Sequence, residues 1–392
     1  SFVFDDAQHA ADLFALQNFG NIYTRIGNPT TAAFEERMAS LEGGVGALAT
    51  ASGQAAQLIS ILTLAQKGDE IVASRSLYGG TYTQFDVTLR RLGIDVTFVD
   101  IHDVSAIEAA ITERTKAVYA ETIGNPQADI IDFQAVSRVA HDHGLPLIVD
   151  NTFATPYLCR PLEHGADIIT HSATKFIGGH GAVIAGCIIE SGRFSWDNGN
   201  FPLLTDPSPA YHNLEFWENF REYAYLMKAR TELLRDIGAC LSPFNSYLLL
   251  LGLETLPLRM KQHVSNAREV AEFLVEHPKV AWVSYPIFDD NPWTDNAKRY
   301  LPDGPGAVFT FGLTEGFDAG IAFIESVELA SHVANVGDAK TLVIHPASTT
   351  HQQVPQVEQK AMGLSNDMIR ISVGIEDIED ILWDLGRALE AT

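Results

Sequence analysis

Cysteine is scarce in this chain, three among 392 residues, and Cys159, Cys187 and Cys240 stand far apart with no Cys-x-x-Cys spacing. That excludes a disulfide framework and a structural zinc site, and it points to a reducing, cytoplasmic compartment. Basic residues are also few: 26 Lys and Arg face 50 Asp and Glu, for a formal charge of -24. A surface of that sign repels phosphate backbones and anionic membranes, and no Lys/Arg cluster interrupts it, so nucleic-acid and membrane partners are not expected. Long apolar runs are missing as well. The stretch Tyr247 to Gly252 falls far short of a membrane span, and the N-terminus has neither the basic nor the apolar region of a signal peptide.

What the chain does have is a hydrophobic content of 46%, enough to bury a large core and to divide into two domains. Between Ala47 and Glu190, short apolar runs alternate with amphipathic segments, the pattern of a largely parallel sheet covered by helices. Strands are expected at Gly46 to Thr50, Glu70 to Ala73, Asp95 to Val99, Ala117 to Glu121, Leu147 to Asp150, Asp167 to Thr170 and Val183 to Ile189. Helices are expected at Gly53 to Ala65, Thr81 to Leu92, Val104 to Ile111 and Phe133 to His143. The Gly-, Asn- and Pro-rich stretch Ser191 to Pro209 reads as a loop, followed by a helical pattern from Leu214 to Ile237. Further helices are expected at Asn245 to Glu254 and Arg259 to His277, with Pro257 between them as the domain boundary. The remainder, with a strand at Ala307 to Gly312 and a helix at Glu376 to Ala391, reads as a smaller C-terminal α+β domain.

The chemistry concentrates in His171-Ser172-Ala173-Thr174-Lys175-Phe176-Ile177-Gly178-Gly179-His180. A lysine amine can form a Schiff base with an aldehyde, and the hydroxyls of Ser172 and Thr174 beside two glycines suit a tightly wrapped phosphate. Asp150 ends the apolar run Leu147-Ile148-Val149, which places a carboxylate at the carboxyl end of a strand, next to the crevice where such sheets bind ligands. An anion there can keep a pyridine nitrogen protonated, so Lys175 and Asp150 together indicate pyridoxal phosphate. Ser52-Gly53-Gln54 follows a strand and opens a helix whose first amides can receive a phosphate. Tyr78, in Leu77-Tyr78-Gly79-Gly80, can stack on a flat ring. Arg370 lies between apolar residues and needs an anion, for which a substrate carboxylate would serve. Tyr23 and Arg25 also suit a phosphate. Taken singly, each has a plainer reading: a surface lysine, a capping serine or aspartate, a packed tyrosine, a structural ion pair. His171 and His180 either line the pocket or cap loops, and His141 and His143 do not make a metal site.

Together these stretches resemble the Cys/Met-metabolism family of pyridoxal phosphate enzymes, the cystathionine γ-synthase-like branch of fold type I, over nearly the whole chain. The resemblance implies a large domain with a mostly parallel seven-stranded sheet and a smaller C-terminal α+β domain. It implies an arm at residues 1–27, a cofactor domain at 28–257 and a C-terminal domain at 258–392. Lys175, Asp150 and Tyr78 take the catalytic positions. Ser52, Gly53, Gln54, Asn125, Thr152, Ser172 and Thr174 take cofactor positions, as do Tyr23 and Arg25, which in this family reach the phosphate of the neighbouring subunit. Asn335 and Arg370 take the substrate positions. The expected assembly is a homodimer at least, and a homotetramer in full.

Within the family, Asn335-Val336-Gly337-Asp338-Ala339-Lys340-Thr341 through His351, Leu241 to Asn245 and Phe201 to Thr205 are similar to the branch that sulfhydrylates O-acetyl-L-homoserine. That implies sulfide or methanethiol as acceptor and homocysteine or methionine as product. Gly80 stands where methionine γ-lyases commonly have cysteine, and Asn335-Val336-Gly337 where cystathionine γ-synthases usually have Ser-Leu-Gly. Those two chemistries, and a non-catalytic carrier of the cofactor, are the alternatives. Two features depart from the branch: Gly27 replaces a usual methionine, and the expected N-terminal arm is short.

Overall fold

The computed structural model describes residues 1–349 and 363–392. Its larger sheet holds β1 (Gly46–Thr50), β2 (Glu70–Ser74), β3 (Asp95–Val99), β4 (Thr115–Glu121), β5 (Leu147–Asp150), β6 (Ile168–His171) and β7 (Gly186–Glu190). The order is β1-β7-β6-β5-β4-β2-β3. Strand β7 runs antiparallel to both neighbours, and the other pairs are parallel. This is the mostly parallel seven-stranded sheet expected. Both of its faces are covered, so successive strand residues are apolar instead of every second one. On β5, Leu147 and Val149 pack with Phe34, Met38 and Leu253, whereas Ile148 packs with Ile59, Tyr119 and Trp196 on the other face.

Three helices precede β2: α1 (Ala7–Phe14), α2 (Pro29–Glu42) and α3 (Gly53–Leu64). Asn28 caps α2 by accepting from the Thr30 amide, Pro29 starts it, and Gly43 ends it at φ 77°. These are the residues that favour helix entry and exit. Ser52 caps α3 in the same way, through the Ala55 amide. The smaller sheet holds β8 (Val280–Ser284), β9 (Val308–Leu313), β10 (Ser331–His332), β11 (Leu342–Ile344) and β12 (Met368–Ser372), in the order β10-β11-β12-β9-β8.

Two expectations need correction. The helices expected on either side of Pro257 are one helix, Pro243–Glu276, with Pro257 inside it. An internal proline costs about 3 kcal/mol. Here the ring faces solvent, and a buried seam of Leu249, Leu253, Leu256, Met260, Val264, Ala267, Ala271 and Leu274 continues past it, so packing outweighs the local preference. The helical pattern expected from Leu214 to Ile237 is met by contiguous helical segments from Phe216 to Ile237, with a 3-10 turn at Arg221–Tyr223 and a π-helical one at Ala229–Leu234. The stretch read as a loop after Ser191 packs into the core on one face of the larger sheet and holds a helical turn at Pro202–Thr205. Trp196 and Phe201 are fully buried and meet edge to face at 5.1 Å, and Trp196 stacks on Tyr225 at 5.4 Å.

Candidate active site

The carboxyl ends of β4, β5 and β6, the start of α3 and the middle of β12 open onto one cavity of about 250 Å³. Ser52, Gly53, Gln54, Tyr78, Asn125, Asp150, Thr152, Ser172, Thr174, Lys175, Asn335 and Arg370 all line it. Twelve of the fourteen residues singled out in the sequence therefore meet, although they span more than three hundred positions. Tyr23 and Arg25 do not line this cavity. Tyr23 is 49% exposed, and Arg25 donates to the Arg235 carbonyl and lies 5.4 Å from the Tyr23 ring.

The strand tips are tied to one another. The Thr152 amide donates to Asp150 Oδ1 at 2.9 Å, and the Ser172 amide donates to Thr152 Oγ1 at 2.8 Å. Thr174 Oγ1 donates to the Ala185 carbonyl and accepts from its amide, which holds the lysine turn against the sheet. Gly53 meets the same turn closely, for a Cβ there would lie 2.7 Å from Ser172 Cβ. The first amides of α3, at Gly53 and Gln54, have no acceptor within the helix and stand at the cavity wall. From the smaller sheet, Asn335 Oδ1 accepts from Lys175 Nζ, and the Ala339 amide donates to the Gly179 carbonyl.

Electrostatics single out three groups. Burial lowers the Lys175 amine to about 8, helped by the like charge of Arg370, so the amine is ready to act as nucleophile or base near neutral pH. Burial brings Arg370 down to about 10, and its guanidinium has no hydrogen-bond or ion-pair partner among the described residues. A half-buried cation of that kind lacks an anion. Asp150 presents the inverse case. Burial raises its carboxyl, and Glu121 beside it on β4 is raised further by burial and by Asp150 itself. A cation entering the cavity at Asp150 would relieve both. The cavity thus offers a nucleophilic amine, a site for a cation, a phosphate-binding helix start and an unpaired anion receptor, and that donor set fits pyridoxal phosphate and an amino-acid substrate.

Several lining residues had been given no role in the sequence. Glu121 Oε1 accepts from the Tyr78 amide at 2.7 Å and so fixes the turn that carries the ring. Gln57, 2% exposed, takes bonds from Tyr119 and Thr81 and gives bonds to Gln54 and Gln84. A glutamine three positions after Gln54 on an otherwise apolar helix is the signal that could have found it. His171 neither lines the cavity nor caps a loop. It is the last residue of β6, wholly buried against Glu42. His180 lies in the loop beyond, its Nδ1 2.6 Å from the Gly178 carbonyl. Thr350 and His351, part of the stretch similar to the sulfhydrylase branch, lie outside the described residues.

A family model of Cys/Met metabolism PLP-dependent enzymes matches residues 1–390. The chain belongs to this family. It is 52% identical over 399 residues to an O-acetyl-L-homoserine sulfhydrylase of Leptospira meyeri, covering 100% of this chain and 90% of that one. It is also 52% identical to O-acetyl-L-homoserine sulfhydrylase 1 of Thermus thermophilus, covering 99% and 93%. Among solved structures, a protein described as an O-acetylhomoserine (thiol)-lyase of Campylobacter jejuni matches with a TM-score of 0.96 and 36% identity, over 100% of this chain and 93% of that one; it carries a pyridoxyl-lysine phosphate. As a member of the Cys/Met metabolism family, this chain is a pyridoxal-phosphate-dependent enzyme of fold type I, with an α/β cofactor sheet and a smaller second sheet. Among the described residues, no helix is long and apolar enough to cross a membrane.

Proposed function

We propose that this enzyme catalyses γ-replacement: O-acetyl-L-homoserine and sulfide, or methanethiol, give L-homocysteine, or L-methionine, and acetate. The reading is carried by the full-length 52% identity to sulfhydrylases of that substrate, joined to one cavity in which a nucleophilic lysine faces an arginine without an anion. Lys175 would hold the cofactor aldehyde, Asp150 would face its ring nitrogen, and Tyr78 would stack on the ring. Asn125 would meet the ring oxygen, and Gly53, Gln54, Ser52, Thr152, Ser172 and Thr174 would enclose the phosphate. When bound, pyridoxal phosphate supplies a sink for the electrons left at the substrate α-carbon.

The residues of the chain do the rest. Arg370 and Asn335 grip the substrate carboxylate, a fork-to-carboxylate contact that fixes the α-carbon relative to Lys175. Lys175 Nζ takes the proton from Cα, gives it up within the cavity, and as a free amine again takes one from Cβ, which allows acetate to leave Cγ. Hydrosulfide adds at Cγ, and the lysine returns one proton to Cβ and then, reprotonated, one to Cα. Tyr78, 53% exposed at the cavity wall, limits water at the reacting carbons.

The same proposal gives Tyr23 and Arg25 to the phosphate of a neighbouring subunit, with a homodimer as the smallest complete site and a tetramer as the full assembly. Supporting it, the long helix leaves Phe244, Tyr247, Leu251 and Leu258 exposed on one face, a stripe that association would cover. It keeps the division into an arm at 1–27, a cofactor domain at 28–257 and a C-terminal domain at 258–392, the second boundary falling inside the long helix, and a cytoplasmic location. A substrate panel with product identification tests the reaction. Homocysteine and acetate from O-acetylhomoserine with sulfide are expected. Faster release of ammonia and a keto acid from methionine, without a thiol acceptor, would overturn it.

A further inference from the structure

Strand residues alternate between faces, so the residues next to Asp150 and Ser172 point away from the cavity. Next to Asp150 is Asn151 and next to Ser172 is His171, and both side chains converge on a single atom. Glu42 Oε1, at the C-terminal end of α2, accepts from His171 Nε2 at 2.6 Å and from Asn151 Nδ2 at 2.9 Å. The second hydrogen of the Asn151 amide goes to the Cys159 carbonyl at 2.9 Å, and its oxygen accepts from Thr122 Oγ1 at 2.7 Å. Thr122 follows Glu121 at the tip of β4. Glu42, Asn151, His171 and Thr122 are all 0% exposed. Glu42 Oε2 and His171 Nδ1 have no hydrogen-bond partner among the described residues. A buried carboxyl group left half unsatisfied costs free energy that a plain apolar core would avoid, and no lysine or arginine among the described residues pairs with it.

We infer that Glu42 is a positioning residue for the cofactor site: from behind the sheet, one carboxylate oxygen holds the tips of β5 and β6 together, and through Asn151 that of β4, and thereby sets the spacing of Asp150 and Ser172. The effect on cofactor affinity rests on the pyridoxal phosphate reading above; the effect on the strand tips does not. On the cavity side the Ser172–Thr152–Asp150 hydrogen bonds tie β5 to β6, and the last backbone bonds between the strands are Thr122 N to the Asp150 carbonyl and Asn151 N to the Thr170 carbonyl, so loss of the clamp loosens first the residues beyond them. An amide oxygen can replace the carboxylate as acceptor for both donors, so Glu42→Gln keeps the clamp and Glu42→Ala removes it.

The test compares the wild-type chain, Glu42→Gln and Glu42→Ala by amide hydrogen exchange, without and with added pyridoxal phosphate, and by titration of the cofactor. In Glu42→Ala, exchange at Thr152 and Ser172 rises about tenfold or more while exchange inside α3 stays within twofold. Cofactor affinity falls about tenfold, and Glu42→Gln restores both to within threefold of wild type. Uniformly faster exchange across the sheet and α3, or unchanged exchange at Thr152 and Ser172, overturns the proposal. The exchange arm without cofactor separates failure of the clamp from failure of the cofactor reading. Asn151→Ala guards against a Glu42→Ala that does not fold. It cuts one arm only and must raise exchange at Thr152, and an unchanged Thr152 overturns the clamp as well.

Discussion

Two arginines of this enzyme lie deep in the protein, and burial brings both down to about 10, yet they live in opposite surroundings. Arg259, 5% exposed on the long helix, gives its protons to the carbonyls of Phe176, Ile177 and Gly252 and to Thr255 Oγ1. Arg370, in the middle of β12 and at the cavity wall, has no such partner among the described residues. The first guanidinium is consumed by the fold, since it pins the two residues after Lys175 to the helix. The second is held ready. A buried polar group whose bonds are complete stabilises structure, and one whose bonds are missing waits for a ligand. Lys175 stands between the two regimes, its following carbonyls held by Arg259 and its amine lowered by Arg370.

The sharpest break in the comparison comes at that lysine. Lys175→Ala removes the amine and leaves the backbone bonds to Arg259 intact. Turnover is expected to fall about 10⁴-fold, with the melting temperature of the cofactor-free protein nearly unchanged. A large loss of stability would place the lysine in the fold and blur the contrast.

Arg370→Met should come next in size. Loss of a charged fork on the substrate carboxylate costs about 3 kcal/mol, roughly a hundredfold in kcat/KM, mostly as KM. Because the like charge beside Lys175 disappears, the pH midpoint for reaction of the lysine amine moves upward from about 8. A downward move would contradict the assigned electrostatics. Arg259→Met should show the reverse profile. Three carbonyls lose donors, so denaturant unfolding should register about 2 to 3 kcal/mol of lost stability, with KM close to wild type. If both variants change the same quantity, the distinction between a consumed and a waiting arginine is wrong.

Most of this site could be read in the sequence because each residue follows a strand or opens a helix, where chemistry and local pattern coincide: Asp150 after Leu147-Ile148-Val149, Ser52 before α3, and Lys175 after β6. The unread parts depend on residues distant along the chain. Glu42 is 129 positions from His171, and nothing local marks a glutamate at a helix end as the partner of a strand histidine. The β6 reading also stopped at Thr170, one residue short. In a strand that residue decides the face, so His171 was left near the cavity when it points to the other side. Pro257 misled for the opposite reason: its local rule is correct, but an eight-residue buried seam overrode it. The lack of a partner for Arg370 is invisible in sequence, because it is a statement about every neighbour at once.

The smallest effect extends the contrast to carboxylates. Asp150 opens to the cavity, whereas Glu190 at the end of β7 is closed off, accepting from Trp196 Nε1 at 3.0 Å and from the Leu226 amide at 3.3 Å with no cation paired to it among the described residues. Burial pushes Glu190 up to about 8. Between the ordinary carboxyl range and pH 8 the unfolded chain has released this proton while the folded chain keeps it, so each pH unit favours the unfolded state by up to about 1.4 kcal/mol. The stability contributed by neutral Glu190 is therefore complete in acid, declines as pH rises toward 8 and levels off above it. Glu190→Gln removes the titration. Its melting temperature should fall less than that of wild type between pH 7 and pH 8, a difference on the order of 1 kcal/mol, with kcat/KM unaltered at both ends. Parallel curves would mean that Glu190 is ionised in the fold, and that a closed carboxylate in this sheet tolerates charge as readily as the open one at Asp150.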